Sequence, residues 1–378
     1  MQMPIYLDYN ATTPIAPEVA EAITPCLGEL FGNPSSPHSY GIAAKRAVEG
    51  ARADVAAMLG CNPDEVLFTS GGTEANNLAI SGVVQALRER GRHIITSSIE
   101  HPAVIEPCRA LASLGFAVTT LPVDEHGRVS PDDLANALRE DTILVTIMHA
   151  NNEVGTVQPI AEIVRLAHAA GALVHTDAAQ TPGKVPVDVE ALGVDLLSIA
   201  GHKLYAPKGV GALYVRAGTP LHPFTRGAGH ERGLRPGTEN LIGIVGLGAA
   251  ATLVQPHLEQ DASHLSAMRD RLESGLRRLG ADIRMHGHPI ERLPNTLSVG
   301  FRGIEAEDLL VELADEVAAS AGAACHAGDV TVSDTLRALG VPLAYARGTL
   351  RFSVGRNTTA EEIDHAIAAI GRALERLG

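Results

Sequence analysis

Val194-Asp-Leu-Leu-Ser-Ile-Ala-Gly-His-Lys-Leu-Tyr-Ala-Pro-Lys-Gly-Val-Gly-Ala-Leu-Tyr-Val215 holds two apolar runs joined by a short polar passage. Residues 194–200 and 210–215 read as strands, and Gly201, His202 and Lys203 follow the first of them where the chain leaves the sheet. In an open α/β sheet that edge is the usual place for ligand chemistry. An ammonium there is costly unless it is paired or chemically used. A lysine is by default a solvated surface residue, so the meaning of Lys203 depends on what else the chain brings to the same edge.

Outward from this stretch the pattern repeats. Strand-like runs at 65–69, 93–97, 143–148 and 173–177 alternate with helix-like segments at 73–87, 102–114 and 159–170. Such alternation of five-residue Val/Ile/Leu-rich runs with helices predicts an α/β domain with a mostly parallel sheet covered on both faces. Beyond about residue 256 the pattern changes to an amphipathic helix (258–279), a strand (296–301), a helix (306–313), a strand (350–354) and a closing helix from Thr359. We therefore expect a large α/β domain over 15–255 and a smaller α+β domain formed by 1–14 and 256–378.

Composition bounds the function. The 378 residues, 45% hydrophobic and 20% charged, are ordinary for a globular enzyme. A formal charge of −14 argues against direct binding to nucleic acid or to an anionic membrane surface, since both select basic faces. The N-terminus lacks the basic and apolar regions of a secretory signal, and the apolar run 241–254 carries three glycines and reads as a buried core helix. The expectation is a cytoplasmic protein. Cysteines at 26, 61, 108 and 325 fit neither a disulfide framework nor a zinc ligand set, so reduced thiols and no metal are expected.

Two further places bear chemistry. Gly71-Gly72-Thr73-Glu74 lies between a strand and a helix, where backbone N–H groups and the Thr73 hydroxyl can meet a phosphate, although a plain helix cap explains the same residues. Asp177 closes the strand 173–177, and a carboxylate at that place calls for a cation such as a protonated pyridine nitrogen; a helix-capping aspartate is the duller alternative. A lysine able to form an imine, an aspartate for a pyridinium and a phosphate loop together describe pyridoxal 5'-phosphate (PLP).

Several ordered motifs carry a resemblance. They are Tyr6-Leu-Asp-Tyr-Asn-Ala-Thr-Thr-Pro14, Ser70-Gly-Gly-Thr-Glu74, Glu100-His-Pro-Ala-Val104, Met148-His-Ala-Asn-Asn-Glu-Val-Gly155, Asp177 with Gln180, Gly201-His-Lys203, Gly229-His-Glu-Arg-Gly-Leu-Arg-Pro-Gly-Thr238 and Leu350-Arg-Phe-Ser-Val-Gly-Arg356. Nearly the whole chain resembles the class V aminotransferase superfamily, and most closely cysteine desulfurases of the nitrogenase and iron–sulfur-cluster type. The resemblance implies the aspartate aminotransferase-like fold type I and a homodimer. It implies that Lys203 carries PLP as an imine, that His101 stacks on the ring and moves protons, that Asp177 holds the ring nitrogen and Gln180 the phenolic oxygen, with Asn152 nearby. Gly72, Thr73 and His202 would bind the phosphate, joined by Thr238 of a second subunit, and Arg351 would clamp the carboxylate of L-cysteine with Asn33 assisting. Where relatives often have a serine two residues before the motif histidine, this chain has Ala200, and the lost hydrogen bond weakens cofactor retention by about 1 to 2 kcal/mol.

Cys325 aligns with the family's nucleophile, in the small-residue segment 318–329, whereas a lone cysteine among alanines is otherwise a small buried hydrophobe. Its thiolate would take sulfur from cysteine, release alanine and pass the persulfide to an acceptor protein. Selenocysteine lyase is the nearest rival, because 322–326 also resembles those enzymes; a decayed PLP fold serving as a scaffold or sulfur carrier is the non-enzymatic one. The acceptor pathway stays open among iron–sulfur clusters, tRNA thiolation, molybdenum cofactor maturation and DNA phosphorothioation. The chain's end at Gly378, short of the C-terminal extension of housekeeping members, favours a dedicated pathway. The sequence 326–332 also departs from the Ser/Thr-rich run usual after the nucleophile, which points to a more rigid segment.

Overall fold

The strand Leu67-Phe68 shows how the sequence builds the main sheet: Leu67 faces one apolar layer and Phe68 the other, and both are buried. The same division repeats at Ile94/Ile95, Leu144/Val145 and Leu196/Leu197, because successive side chains on a strand point to opposite faces. A strand that is apolar on both faces needs helices on both, and that requirement sets the layers.

The computed structural model describes residues 3–326 and 329–377. In chain order the strands are β1 (Ile5–Tyr6), β2 (Val66–Thr69), β3 (His93–Ser97), β4 (Ala117–Leu121), β5 (Thr142–Thr146), β6 (Leu173–Asp177), β7 (Leu196–Ala200), β8 (Gly211–Val215), β9 (Ile283–His286), β10 (Thr296–Phe301), β11 (Val317–Ala318), β12 (Ser320–Ala321), β13 (Ala323–His326), β14 (Asp329–Val332) and β15 (Thr349–Ser353). Seven of them form the main sheet, in the order β2-β8-β7-β6-β5-β3-β4. Its strands are parallel except β8, which runs antiparallel to both neighbours. The sheet is therefore mostly parallel, as the alternation predicts.

On one face lie the helices Ser39–Leu59 and Leu241–Val254; on the other lie Gly72–Leu87 and Pro102–Ser113. The helix Leu241–Val254 is the expected buried helix. Its glycines allow close packing: a side chain at Gly248 would strike Ala51 and one at Gly246 would strike Pro207. The helix Ser39–Leu59 precedes the alternation that begins near residue 65, and the edge strand β4 is only partly buried, so neither stands out in the apolar pattern. Among the described residues no single helix is long and apolar enough to cross a membrane.

A second core gathers Leu7 with Leu272, Val299, Phe301, Leu309, Phe352 and Ile370. Here β12, β15, β10 and β9 form an antiparallel sheet, and β1 pairs in parallel with β11. This pairing ties the N-terminal segment to the C-terminal third of the chain and carries residues 8–13 across the ends of the main sheet. The segment after β12 is an antiparallel ribbon in which Cys325 on β13 stands opposite Val330 on β14.

Candidate active site

The strands β6 and β7 and the helix Gly72–Leu87 all present one end to the same edge of the sheet. A cavity of about 350 Å³ lies there, lined among others by Thr73, His101, Asp177, Gln180, Lys203 and Arg351. Gly72, Asn152, Ala200 and His202 also line it. Most of the residues singled out from sequence are thus brought together from distant parts of the chain.

Lys203 leaves β7 through the short helical turn Gly201–Lys203, and its amine donates to the carbonyl oxygens of Asn10 and, at 2.7 Å, Ala11. Burial, helped by the Arg351 cation and opposed by Asp8 and Asp177, lowers its pKa to about 8. A substantial neutral fraction follows at mildly alkaline pH, as a nucleophilic amine requires. His202 has its Nδ1 3.2 Å from the Thr12 hydroxyl, and burial with Lys203 and Lys208 lowers its pKa to about 4.

Asp177, buried at the end of β6, accepts from the Asn76 amide at 2.6 Å and from the Ala179 N–H at 2.9 Å. These donors fix its orientation but bring no charge. Asn76 Oδ1 is buried without a partner. A planar group carrying a ring N–H at Asp177 fits this polar end of the cavity. At the other end, Gly71 caps the helix Gly72–Leu87 without a side-chain hydrogen bond, which leaves first-turn N–H groups for an anion. Lysine, buried carboxylate and uncapped helix end are the donor set that PLP needs.

His101 is the N-cap of the helix Pro102–Ser113, and its Nδ1 accepts from the Ala103 N–H at 3.1 Å. The neutral ring then carries its proton on Nε2. Burial and the Lys203 cation lower its pKa, against the pull of Asp177. Glu100, just before it, accepts from the Ser97 hydroxyl and the Met148 N–H through Oε1, while burial pushes its carboxyl up to about 8. This carboxyl thus anchors the turn that presents His101.

Arg351 on β15 donates to Asp8 Oδ1 at 2.6 Å, to the Ser320 hydroxyl at 2.9 Å and to the Asn152 carbonyl at 3.2 Å; its Nε is buried and unpartnered. Arg351 lines the cavity, and a guanidinium there can meet a carboxylate.

With this geometry fixed, comparison decides the family: the aminotransferase class-V model matches residues 5–365. The chain belongs to the class-V aminotransferases. Enzymes of this family depend on PLP. A cysteine desulfurase IscS of Dictyoglomus turgidum is 47% identical over 378 residues, spanning 100% of this chain and 96% of its own. A solved NifS-like protein superposes with a TM-score of 0.94 at 40% identity, covering 99% of this chain and 100% of that one. SspA, solved in complex with cysteine, gives 0.82 at 37% identity over 94% and 99%.

Three residues of this class-V chain need separate mention. Asn33 is exposed, bonds through Oδ1 to the Ser35 N–H and is not among the residues lining the cavity. Thr238 is likewise exposed and away from the cavity, on a loop anchored where the buried Glu231 meets Arg52 at 2.8 Å and the Phe68 N–H at 2.9 Å. Cys325 has its backbone on β13, and its side chain lies outside the described residues.

Asn10, Asp8, Asn76 and Lys184 carry much of the site and were not singled out. Asn10 bonds Thr296 and Asn295 through its side chain and receives Gln180 and Lys203 at its carbonyl. Its motif, residues 6–14, signalled that the segment matters. Which of its residues turn inward depends on where β1 docks.

Proposed function

We propose that this chain is a cysteine desulfurase, converting L-cysteine to L-alanine and leaving the sulfur as a persulfide on Cys325. The observation that carries this reading is the convergence of Lys203, Asp177, His101 and Arg351 on one cavity, supported by full-length relatives named for that activity.

When bound, PLP supplies an electron sink that loosens the bonds at Cα and Cβ of an amino acid. Asp177 would hold its ring nitrogen, Gln180 its phenolic oxygen, and Gly72, Thr73 and His202 its phosphate. Arg351 binds the carboxylate of cysteine and so orients the Cα–H toward Lys203. The Lys203 amine, with its pKa near 8, takes the Cα proton, and His101 offers a proton from Nε2 on the same cavity. The Cys325 thiolate attacks the substrate sulfur: an S–S bond forms, the Cβ–S bond breaks, and Cβ keeps the electron pair and gains a proton, giving alanine. In a homodimer, Thr238 would reach the phosphate site of the second copy. A sulfur-acceptor protein then takes the persulfide by thiol exchange.

The test is to supply the PLP-loaded chain with L-cysteine in a single turnover without added reductant, and to measure alanine together with persulfide on Cys325 by mass spectrometry. Equimolar alanine and sulfane sulfur is the expected result. PLP binding with no alanine from cysteine would overturn the reading.

A further inference from the structure

Lys184 is buried, at 6% exposure, and among the described residues it pairs with no carboxylate. Its amine donates to Gln180 Oε1 at 3.0 Å. An ammonium in such a place is unfavourable unless it does something that a neutral side chain would not. Burial, with the Lys203 and Arg351 cations, pushes it down to about 7.

The turn after β6 explains how it gets there. Lys184 N bonds back to the Thr181 carbonyl at 3.0 Å. Gly183, with φ of +74°, is packed so closely under Leu204 and Val254 that a side chain would clash. The chain therefore folds back, and the lysine four residues after Gln180 returns to meet it.

Gln180 is held from both sides. Its Nε2 donates to the Asn10 carbonyl at 3.0 Å, and that carbonyl can only accept. A protonated Lys184 amine can only donate, so it requires Oε1. The two constraints agree and permit one orientation of the amide, with the second Nε2 hydrogen left over at the cavity that Gln180 lines. The same Asn10 carbonyl also accepts from Lys203. Lys184, Gln180, Asn10 and Lys203 thus form one chain of hydrogen bonds from the interior to the cavity.

We propose that Lys184 is a positioning residue for PLP: it locks the Gln180 amide with an N–H facing the cofactor's phenolic oxygen and, in its protonated form, adds positive charge behind that anionic oxygen. This rests on the PLP reading above. Without Lys184, Oε1 would be a buried acceptor lacking a donor, and Gln180 would be free to turn away.

The test compares PLP affinity and the pH-dependent visible spectrum of reconstituted wild type, Lys184→Met, Lys184→Gln, Gln180→Ala and the double variant, with thermal melting of each cofactor-free protein as a folding control. Lys184→Met is expected to weaken PLP binding about tenfold or more and to shift the midpoint of the spectral transition. Lys184→Gln, which keeps a donor but not the charge, is expected to recover most of the affinity while the midpoint stays shifted. In the Gln180→Ala background, loss of Lys184 is expected to have much less effect on affinity. Wild-type affinity and spectrum in Lys184→Met would overturn the inference, as would an undiminished effect without Gln180. Should Lys184→Met fail to fold, the Lys184→Gln spectrum and its cycle with Gln180→Ala decide in the same way. A wild-type chain that binds no PLP would instead overturn the reading beneath it.

Discussion

Arg351 holds the carboxylate of Asp8 at 2.6 Å, on the cavity wall that also carries Lys203. Asp8 precedes the main sheet by nearly sixty residues and Arg351 lies on β15, so the pair closes the N-terminal segment against the antiparallel sheet. In the proposed reading, a substrate carboxylate meets a guanidinium already held by Asp8 and Ser320, which reduces the orientational freedom lost on binding. Arg351→Lys removes the planar fork while keeping the charge. It is expected to raise the KM for cysteine about tenfold to a hundredfold with a smaller loss in kcat, measured by steady-state alanine formation.

The same pair sets the titration of Lys203. Only the neutral amine attacks a carbonyl, so the rate at which the cofactor-free chain captures PLP should rise with pH around a midpoint near 8. Arg351 disfavours the ammonium and Asp8 favours it. Arg351→Gln should therefore move the midpoint up and Asp8→Asn should move it down. Stopped-flow absorbance of PLP capture from pH 6 to 10 checks both, and shifts in one common direction would contradict the electrostatic account.

Cys325→Ser should retain PLP and its visible spectrum while losing persulfide formation, because Lys203, Asp177 and the uncapped helix end are untouched. Mass spectrometry after a cysteine pulse reads the outcome. Sulfur transfer persisting in this variant would move the nucleophile elsewhere.

Ala200 lines the cavity at the end of β7, beside Gly72 in the first turn of the helix Gly72–Leu87. Ala200→Ser places a hydroxyl there, and PLP should dissociate about tenfold more slowly, the scale of one added hydrogen bond to a charged group. Release into a PLP-trapping buffer gives the rate.

Acid stability depends on a histidine remote from the chemistry. His175 on β6 is buried between the Thr146 and Ser198 hydroxyls, at 2.8 and 2.9 Å, and burial depresses its pKa from 6.5 to about 3. The unfolded chain takes up the proton first, so its stabilising contribution is complete above about pH 6.5 and is lost as pH falls toward 3. His175→Gln should lower stability at pH 8 yet flatten the fall between pH 6 and 4, by about 1.4 kcal/mol per pH unit. Urea unfolding at each pH measures the slope.

The sequence by itself determined the strands and their use. Runs such as Val66–Thr69 and Leu196–Ala200 are apolar on both faces, and only a sheet covered on both sides can bury them, so the α/β layering and the strand ends bearing Asp177 and Lys203 were legible. The motifs around these residues carried the family and its cofactor. Tertiary structure alone decided what the strand ends meet. β8 turns antiparallel, β1 joins β11 from the far end of the chain, and that docking carries Asn10 to Lys203 and Asp8 to Arg351. Lys184 reads as a surface lysine until the turn at Gly183 folds it beneath Gln180. Periodicity and local motifs encode which face of an element is buried; contacts between segments hundreds of residues apart come from how the layers close, and no local pattern records them.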